Sequence, residues 1–320
     1  MANLKRINPF STINNDTGFG TNENRSGGRF INRDGTFNLR REGRPVWDRF
    51  SLYQIMLNIP IWKFIVVILA VFISLNLIYT GIYASIGIDE FTGYVATTRW
   101  GKLEELYFFS TETFTTVGYG RVNPIGTAAN FVASIEALNG FLSFALATGL
   151  IYGRFSRPRA HLVFSDHALI SPYKNSRGLM FRFASYKERH ALTDVEVQVN
   201  IAMLVQQEGK PDPVYRFYDL PLERKRIESL PMNWTVVHHI DENSPLLGLS
   251  EEDMRQADVE IYVLIRGFDD VYANVVLQRT SYTFDEIKFG RKFVPMYRED
   301  DRTTILELHK LNTTIDVTMV

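Results

Sequence analysis

The chain has 320 residues and balances 35 Lys and Arg against 36 Asp and Glu, so its net charge of −1 gives no push towards nucleic acid. It contains no cysteine, which excludes a disulfide framework and any Cys-based metal site. Its length suggests about two domains, and its mean hydropathy of −0.10 averages two unlike parts.

In chain order, residues 1–44 hold eight Asn and six Gly without sustained periodicity and read as a loosely ordered arm. Residues 45–60 differ. Trp47, Phe50, Leu52, Tyr53, Met56 and Leu57 recur at helical spacing among Asp48, Arg49 and Gln54. A short amphipathic helix of this kind, directly before an apolar run, predicts a helix lying in a membrane interface. Ile61 to Ile88 is strongly apolar with Lys63 as its only basic residue, and Val122 to Gly153 carries one charge, Glu136. Each run exceeds the ~20 residues needed to cross a bilayer. Spans are expected at about 62–86 and 127–155, with Asn76 as a helix–helix hydrogen-bonding residue. Basic residues crowd before the first span and, as Arg154, Arg157 and Arg159, after the second, whereas only Arg99, Lys102 and Arg121 lie between. The positive-inside rule then places both termini in the cytoplasm.

Between the spans, residues 89–101 read as a short external turret and residues 103–115 (LEELYFFSTETFT) as a re-entrant helix too short to span. The C-terminal end of that helix favours a cation. Glu112 within it is costly unless partnered, and Arg121 is the candidate partner. The re-entrant helix runs into Thr116-Val117-Gly118-Tyr119-Gly120. TVGYG is the sequence whose backbone carbonyls replace the hydration shell of K⁺ in potassium-selective filters. Gly118 and Gly120 reach backbone angles closed to residues with a Cβ, and the Val117 and Tyr119 side chains can pack outward.

In the second span Gly140 offers a flexing point or a close-packing site. Phe144, Thr148 and Tyr152, spaced by four, drift about 40° per step and form one stripe. Glu136 lies about 120° round from Thr148 and should face the re-entrant helix instead. After Arg159 the period changes to two. Val195, Val197, Val199 and Ile201 alternate, and further strands are expected around 160–165, 178–185, 215–220, 234–240, 260–266 and 271–280. These predict a β-sandwich, with a short helix opened by a capping box at Ser250. No G-x-G-x-x-G follows a strand, and the six histidines include no metal spacing beyond adjacent His238 and His239. No enzyme signature emerges. A voltage sensor is excluded, because no Arg repeats every third residue within a span.

Five stretches together carry a resemblance: FFSTETFTTVGYG (108–120), EALNG (136–140), ATGLIYGRFSRPRA (147–160), WTVVHHIDENSPLLG (234–248) and SYTFDEIKFG (281–290). The chain resembles the inward-rectifier (Kir-type) potassium channels, most closely their prokaryotic KirBac branch. The resemblance implies a two-span potassium-channel pore module joined to an all-β, immunoglobulin-like cytoplasmic sandwich from residue 159. It implies a homotetramer in the bacterial inner membrane that passes K⁺ passively and needs no cofactor or nucleic acid. By position, Phe144 and Tyr152 match pore-lining constriction sites, Gly140 the hinge, and Asp194 and Asp270 the acids of the cytoplasmic pore. Arg49, Lys63, Arg154, Arg157 and Arg159 fall where anionic lipid headgroups are met. The chain departs from the family in three places, one of them the eukaryotic run of adjacent lysines, here reduced to Arg157-Pro158-Arg159. Arg121 replaces the acid common after the filter, and Phe144 replaces the eukaryotic rectification acid. A two-span channel gated by a soluble ligand at its tail, and a membrane-anchored receptor, are the competing readings.

Overall fold

The computed structural model describes residues 7–14, 29–40, 42–43, 51–188, 190–206 and 213–318. The chain forms two compact units, one comprising Glu42–Arg157 and the other Met1–Arg41 together with Pro158–Val320.

The first unit is helical. Ser51 caps α1 (Leu52–Asn58), its side chain accepting from the Gln54 N–H at 3.3 Å. The rest of the expected interfacial helix, including Trp47 and Arg49, lies outside the described residues. Pro60 separates α1 from α2 (Ile61–Ile86), a helix of 26 residues. At 1.5 Å per residue α2 runs about 39 Å and α4 (Thr127–Phe155, 29 residues) about 44 Å, each enough to cross a bilayer. Between them α3 (Arg99–Phe114) has 16 residues, about 24 Å, and cannot span. It starts four residues earlier than the sequence suggests, because the Thr98 side chain accepts from the Gly101 N–H at 3.1 Å and caps it. The turret is correspondingly shorter, and its strand β1 (Phe91–Thr92) pairs with β2 (Asn123–Pro124). The unit's core is aromatic: Tyr83, Phe91 and Phe109 meet edge to face with centroids 5.3–5.4 Å apart, packed against Tyr79, Leu106, Val122 and Ala129.

The second unit is a sandwich of two five-stranded sheets. In one, β11 (Asn274–Thr283), β10 (Glu260–Asp269), β6 (Leu192–Val205) and β7 (Val214–Asp219) lie side by side, and β8 (Arg226–Leu230) also pairs with β6. In the other, the order is β12 (Ile287–Phe289), β4 (Ala168–Tyr173), β5 (Ser176–Ser185) and β3 (Leu162–Phe164), with β9 (Asn233–Ile240) also on β5. The period-two pattern is realised directly. Val195, Val197, Val199 and Ile201 of β6 point inward and meet Phe181, Phe183, Trp234 and Val236 of the facing sheet. Ser250 opens α5 (Glu251–Gln256) with a reciprocal capping box to Asp253.

Three expectations need correction. Strand β11 begins at Asn274 rather than Val271, because the Asp269 carboxylate accepts from the Val271 and Tyr272 amides and holds those residues in a turn. Strands β4, β8 and β12 were not foreseen; β4 is buried on both faces and β12 pairs with it in parallel, so neither shows an alternating pattern. The N-terminal arm is not loose where it is described. Ile13 bridges to Tyr218, and Phe30 and Ile31 are buried against Tyr215, Phe217 and Tyr262. The Phe30 amide donates to the buried Glu260 carboxylate at 3.0 Å, and Arg29 binds Glu286 at 2.9 Å. Burial pushes the Glu260 carboxyl above its usual range. Burial would raise Glu286 as well, but the hydrogen bond and charge of Arg29 outweigh it and hold it lower.

The C-terminal tail is tied down differently. The buried Arg182 guanidinium donates to the carbonyls of Leu311 (2.6 Å), Val294 (2.7 Å) and Lys310, and stacks on Phe293. Burial pushes its pKa down to about 10.

Candidate functional site

Residues 115–120 leave the C-terminal end of α3 and are anchored to it. The Thr116 N–H donates to the Thr113 carbonyl at 3.1 Å, and the Val117 and Gly118 amides both donate to the Glu112 carbonyl, at 2.9 and 3.3 Å. Beyond them the backbone alternates in hand: φ is +59° at Thr116, +56° at Gly118 and +78° at Gly120, while Val117 and Tyr119 keep ordinary angles. Such alternation turns successive carbonyls towards one side of the chain, where a regular strand would point them to opposite sides. Thr116 holds its left-handed angle at a cost of about 1–3 kcal/mol, the strain expected at a functional turn. Val117 and Tyr119 are 54 % and 81 % exposed, so their own chain leaves much of both uncovered.

Behind this strand α2, α3 and α4 meet at one carboxylate. Glu136 of α4 is fully buried; Tyr83 of α2 and Ser110 of α3 both donate to it, and Ser110 Oγ also lies 3.0 Å from Asn76 Oδ1 of α2. Ser110 carries no signal in the sequence, being one small residue in an aromatic run, although Asn76 and Glu136 stand out as lone polar residues in apolar spans. One turn beyond Glu136, Gly140 packs against the end of α3, where an added Cβ would lie 1.9 Å from the Phe114 carbonyl oxygen. Close packing therefore accounts for this glycine.

The expected partnership of Glu112 with Arg121 does not form. Arg121 Nη1 lies 3.3 Å from Glu105 Oε1, and the Glu112 carboxylate has no hydrogen-bonding or ionic partner among the described residues. Glu105 is seven residues before Glu112, on nearly the same face of α3, and closer to the turret that carries the chain past Arg121.

On α4, Phe144 and Tyr152 are 74 % and 72 % exposed and Thr148 is exposed too, turned progressively further from buried Glu136, by about 80°, 120° and 160° for Phe144, Thr148 and Tyr152. Phe144 borders an apolar groove of about 420 Å³ with Ile68, Phe72, Phe114, Thr116 and Gly140. The basic residues at the end of α4 are not equivalent. Arg154 donates to the carbonyls of Met56 and Ile59 and stacks on Phe64, so it caps α1 rather than standing open to a headgroup. Arg157 Nη1 donates to Asn58 Oδ1 at 2.6 Å, Lys63 lies over the Trp62 ring, and Arg159 is exposed.

Within the sandwich, Asp194 sits on a β-bulge of β6 opposite Gly267, with φ of +51°, and its carboxylate is ion-paired with Arg226. Asp270 is exposed in the β10–β11 turn. Of the two expected cytoplasmic acids, one is thus locally neutralised.

Two membrane-length helices flanking a half-length helix and a left-handed glycine strand define a two-span ion-channel pore unit, here carried with an all-β domain. The family described as "Ion channel" matches residues 64–157, and that described as "Inward rectifier potassium channel C-terminal domain" matches residues 162–320. The chain is 33% identical to "Inward rectifier potassium channel Kirbac3.1" of Paramagnetospirillum magnetotacticum over 272 residues, covering 84% of this chain and 89% of that protein. It is 30% identical to "Inward rectifier potassium channel 4" of Homo sapiens and of Mus musculus over 224 residues, or 66% of this chain, and spans about half (49%) of their length. The chain belongs to the inward rectifier potassium channel family, and it is a membrane protein.

Proposed function

We propose that four copies of this chain form a K⁺-selective pore in the bacterial inner membrane, both termini cytoplasmic, with Thr116 to Gly120 as the filter. The observation that carries the reading is the alternating backbone hand at Thr116, Gly118 and Gly120, set on the end of a half-length helix. It offers a run of carbonyls on one side, suited to replacing the water of a dehydrated cation. One such run cannot encircle an ion, and the exposed Val117 and Tyr119 supply apolar surface that neighbouring copies would bury.

Rings of Phe144 and Tyr152, one from each copy, would narrow the pore below the filter and stop ions by dewetting, with Thr148 on the same stripe. Glu136 would fix the rotation of the inner helix through Ser110 and Tyr83, and with it the direction in which that stripe points. Asp194 and Asp270 would draw cations into the cytoplasmic mouth, weakly, since Arg226 offsets the first. Arg157, Arg159 and Lys63, with Arg49 outside the described residues, are the groups we assign to anionic lipid, whereas Arg154 joins α1 to α4. Purified protein in liposomes of defined lipid tests the reading. K⁺ flux well above Na⁺ flux supports it, and equal fluxes of the two ions contradict it.

A further inference from the structure

The turret is stitched to the segment that leaves the filter by a set of contacts with one carboxylate at their centre. Glu105, on the first half of α3, is 9 % exposed. Its carboxylate accepts from the Val95 amide at 3.1 Å and the Ala96 amide at 3.2 Å, and its Oε1 lies 3.3 Å from Arg121 Nη1. Arg121 is the residue after Gly120. The backbones themselves touch: a Cβ on Gly93 (φ +91°) would fall 1.7 Å from the Arg121 carbonyl oxygen, so only glycine permits this approach. Two residues on, the Asn123 side chain donates to the Gly120 carbonyl at 2.6 Å, while Asn123 and Pro124 pair with Thr92 and Phe91.

We propose that Glu105 is a positioning residue for the outer end of the filter, its single carboxylate locking turret residues 95–96 to Arg121. The inference rests on the filter reading above. A strand whose carbonyls must meet an ion in register cannot hold itself, because residues 116–120 are exposed and their own amides reach the helix only as far as Gly118. Below Gly118 the anchor is the end of α3; above it, the ties run through Arg121 and Asn123. The charged pair alone is a weak tie, since the Arg121 side chain is half exposed and such pairs contribute little. The buried carboxylate with two backbone donors is the stronger element, because stripping it leaves amides unsatisfied. The two ends of the clamp are therefore unequal: Glu105 matters more than Arg121. Neighbouring Glu104 is exposed and serves as an internal control.

The test uses the full-length channel with Glu105→Gln, Glu105→Asp, Arg121→Gln, the Glu105→Gln/Arg121→Gln double variant and Glu104→Gln. Two readings are taken, amide hydrogen exchange at Val95 and Ala96 and the ratio of K⁺ to Na⁺ flux in liposomes. Glu105→Gln should speed exchange about tenfold and lower the flux ratio by a similar factor. Arg121→Gln should do less, the double variant should match Glu105→Gln alone, Glu105→Asp should recover most of the ratio, and Glu104→Gln should change neither. Faster exchange with an unaltered flux ratio overturns the positioning role, as does a double variant whose losses add. Wild-type protein without K⁺ preference would instead overturn the filter reading, while the exchange measurement still judges the clamp by itself.

Discussion

Gly140 of the inner helix lies so close to Phe114 at the end of the pore helix that a methyl group would sit 1.9 Å from the Phe114 carbonyl oxygen. The contact places the inner helix directly behind the start of the filter, since Phe114 is two residues before Thr116. Gly140→Ala would gain up to about 1 kcal/mol of helix propensity. The clash with backbone should cost roughly 1–3 kcal/mol and outweigh it. The variant should therefore lose thermal stability and K⁺ preference together. A variant with wild-type stability and selectivity, changed only in how readily it opens, would show that Gly140 serves as a hinge and not as a packing site.

The arginines at the cytoplasmic end of the inner helix should separate into two functions. Arg157 and Arg159 can each contribute roughly 1 kcal/mol of attraction to an anionic leaflet. Neutralising both should shift the dependence of flux on anionic lipid to higher lipid content without loss of the assembled channel. Arg154→Gln should instead free the carbonyls of Met56 and Ile59 and loosen α1, seen as faster amide exchange in residues 52–58. Identical lipid titrations for wild type and the Arg157/Arg159 double variant would mean that these residues only set topology.

On the proposed reading Phe144 takes the place of the acid of strong rectifiers, and Asp194 is already paired with Arg226. Block by internal spermine should accordingly be weak in the wild type and stronger in Phe144→Asp. Arg226→Gln should strengthen it slightly by releasing the Asp194 charge, an effect limited by screening in a wet vestibule. Tyr152→Ala should raise resting flux by widening the ring of aromatics. Steep voltage-dependent spermine block in the wild type would contradict this account of the inner helix.

The sandwich carries a pH-sensitive cluster at its first residues. His161 lies between the hydroxyls of Tyr186 (3.1 Å) and Tyr272 (3.4 Å), its ring 4.6 Å from that of His190, which binds buried Asp269 at 2.9 Å. Burial, together with the charges of Lys187, His190 and Arg159 and against that of Asp269, holds the His161 pKa below its ordinary 6.5. A depressed histidine pKa means the folded state binds the proton less well than the unfolded chain. Its contribution to stability is complete above pH 6.5 and is lost as pH falls from there through the lower folded pKa. Asp269, also depressed, contributes a loss only below 3.8. Melting of the wild type should thus fall between about pH 8 and about pH 5, and His161→Asn, which tolerates the left-handed angle at this position, should flatten that slope. An unchanged slope would remove His161 as its source.

Much of the pore was legible because its physics is written in composition: two long apolar runs with a single charge each, and a pentapeptide whose glycines answer a backbone need. Glu136 could be aimed at the pore helix by angle alone, since helix rotation is fixed by residue count. Glu105 could not be told from Glu104 or Glu112, because the choice of Arg121's partner depends on the path of the turret, a tertiary fact. The order of the arm is hidden for a similar reason. Phe30 and Ile31 are too few to show a period, yet they fill a slot whose walls lie some 170 residues or more further along the chain. In the sandwich, alternating β6 and β9 announced themselves, whereas β4, buried on both faces, did not.

The central claim, that the left-handed backbone between Thr116 and Gly120 selects K⁺, is tested most directly at Gly118. A Cβ there meets no atom of its own chain, so Gly118→Ala perturbs the backbone angle of +56° and leaves the packing of the single subunit alone. Parallel K⁺ and Na⁺ flux measurements on wild type and Gly118→Ala, each first shown to be an assembled channel by size exclusion, give the answer. The account predicts strong K⁺ preference in the wild type and collapse of K⁺ flux in the variant. An assembled Gly118→Ala channel with undiminished K⁺ flux and selectivity would contradict it.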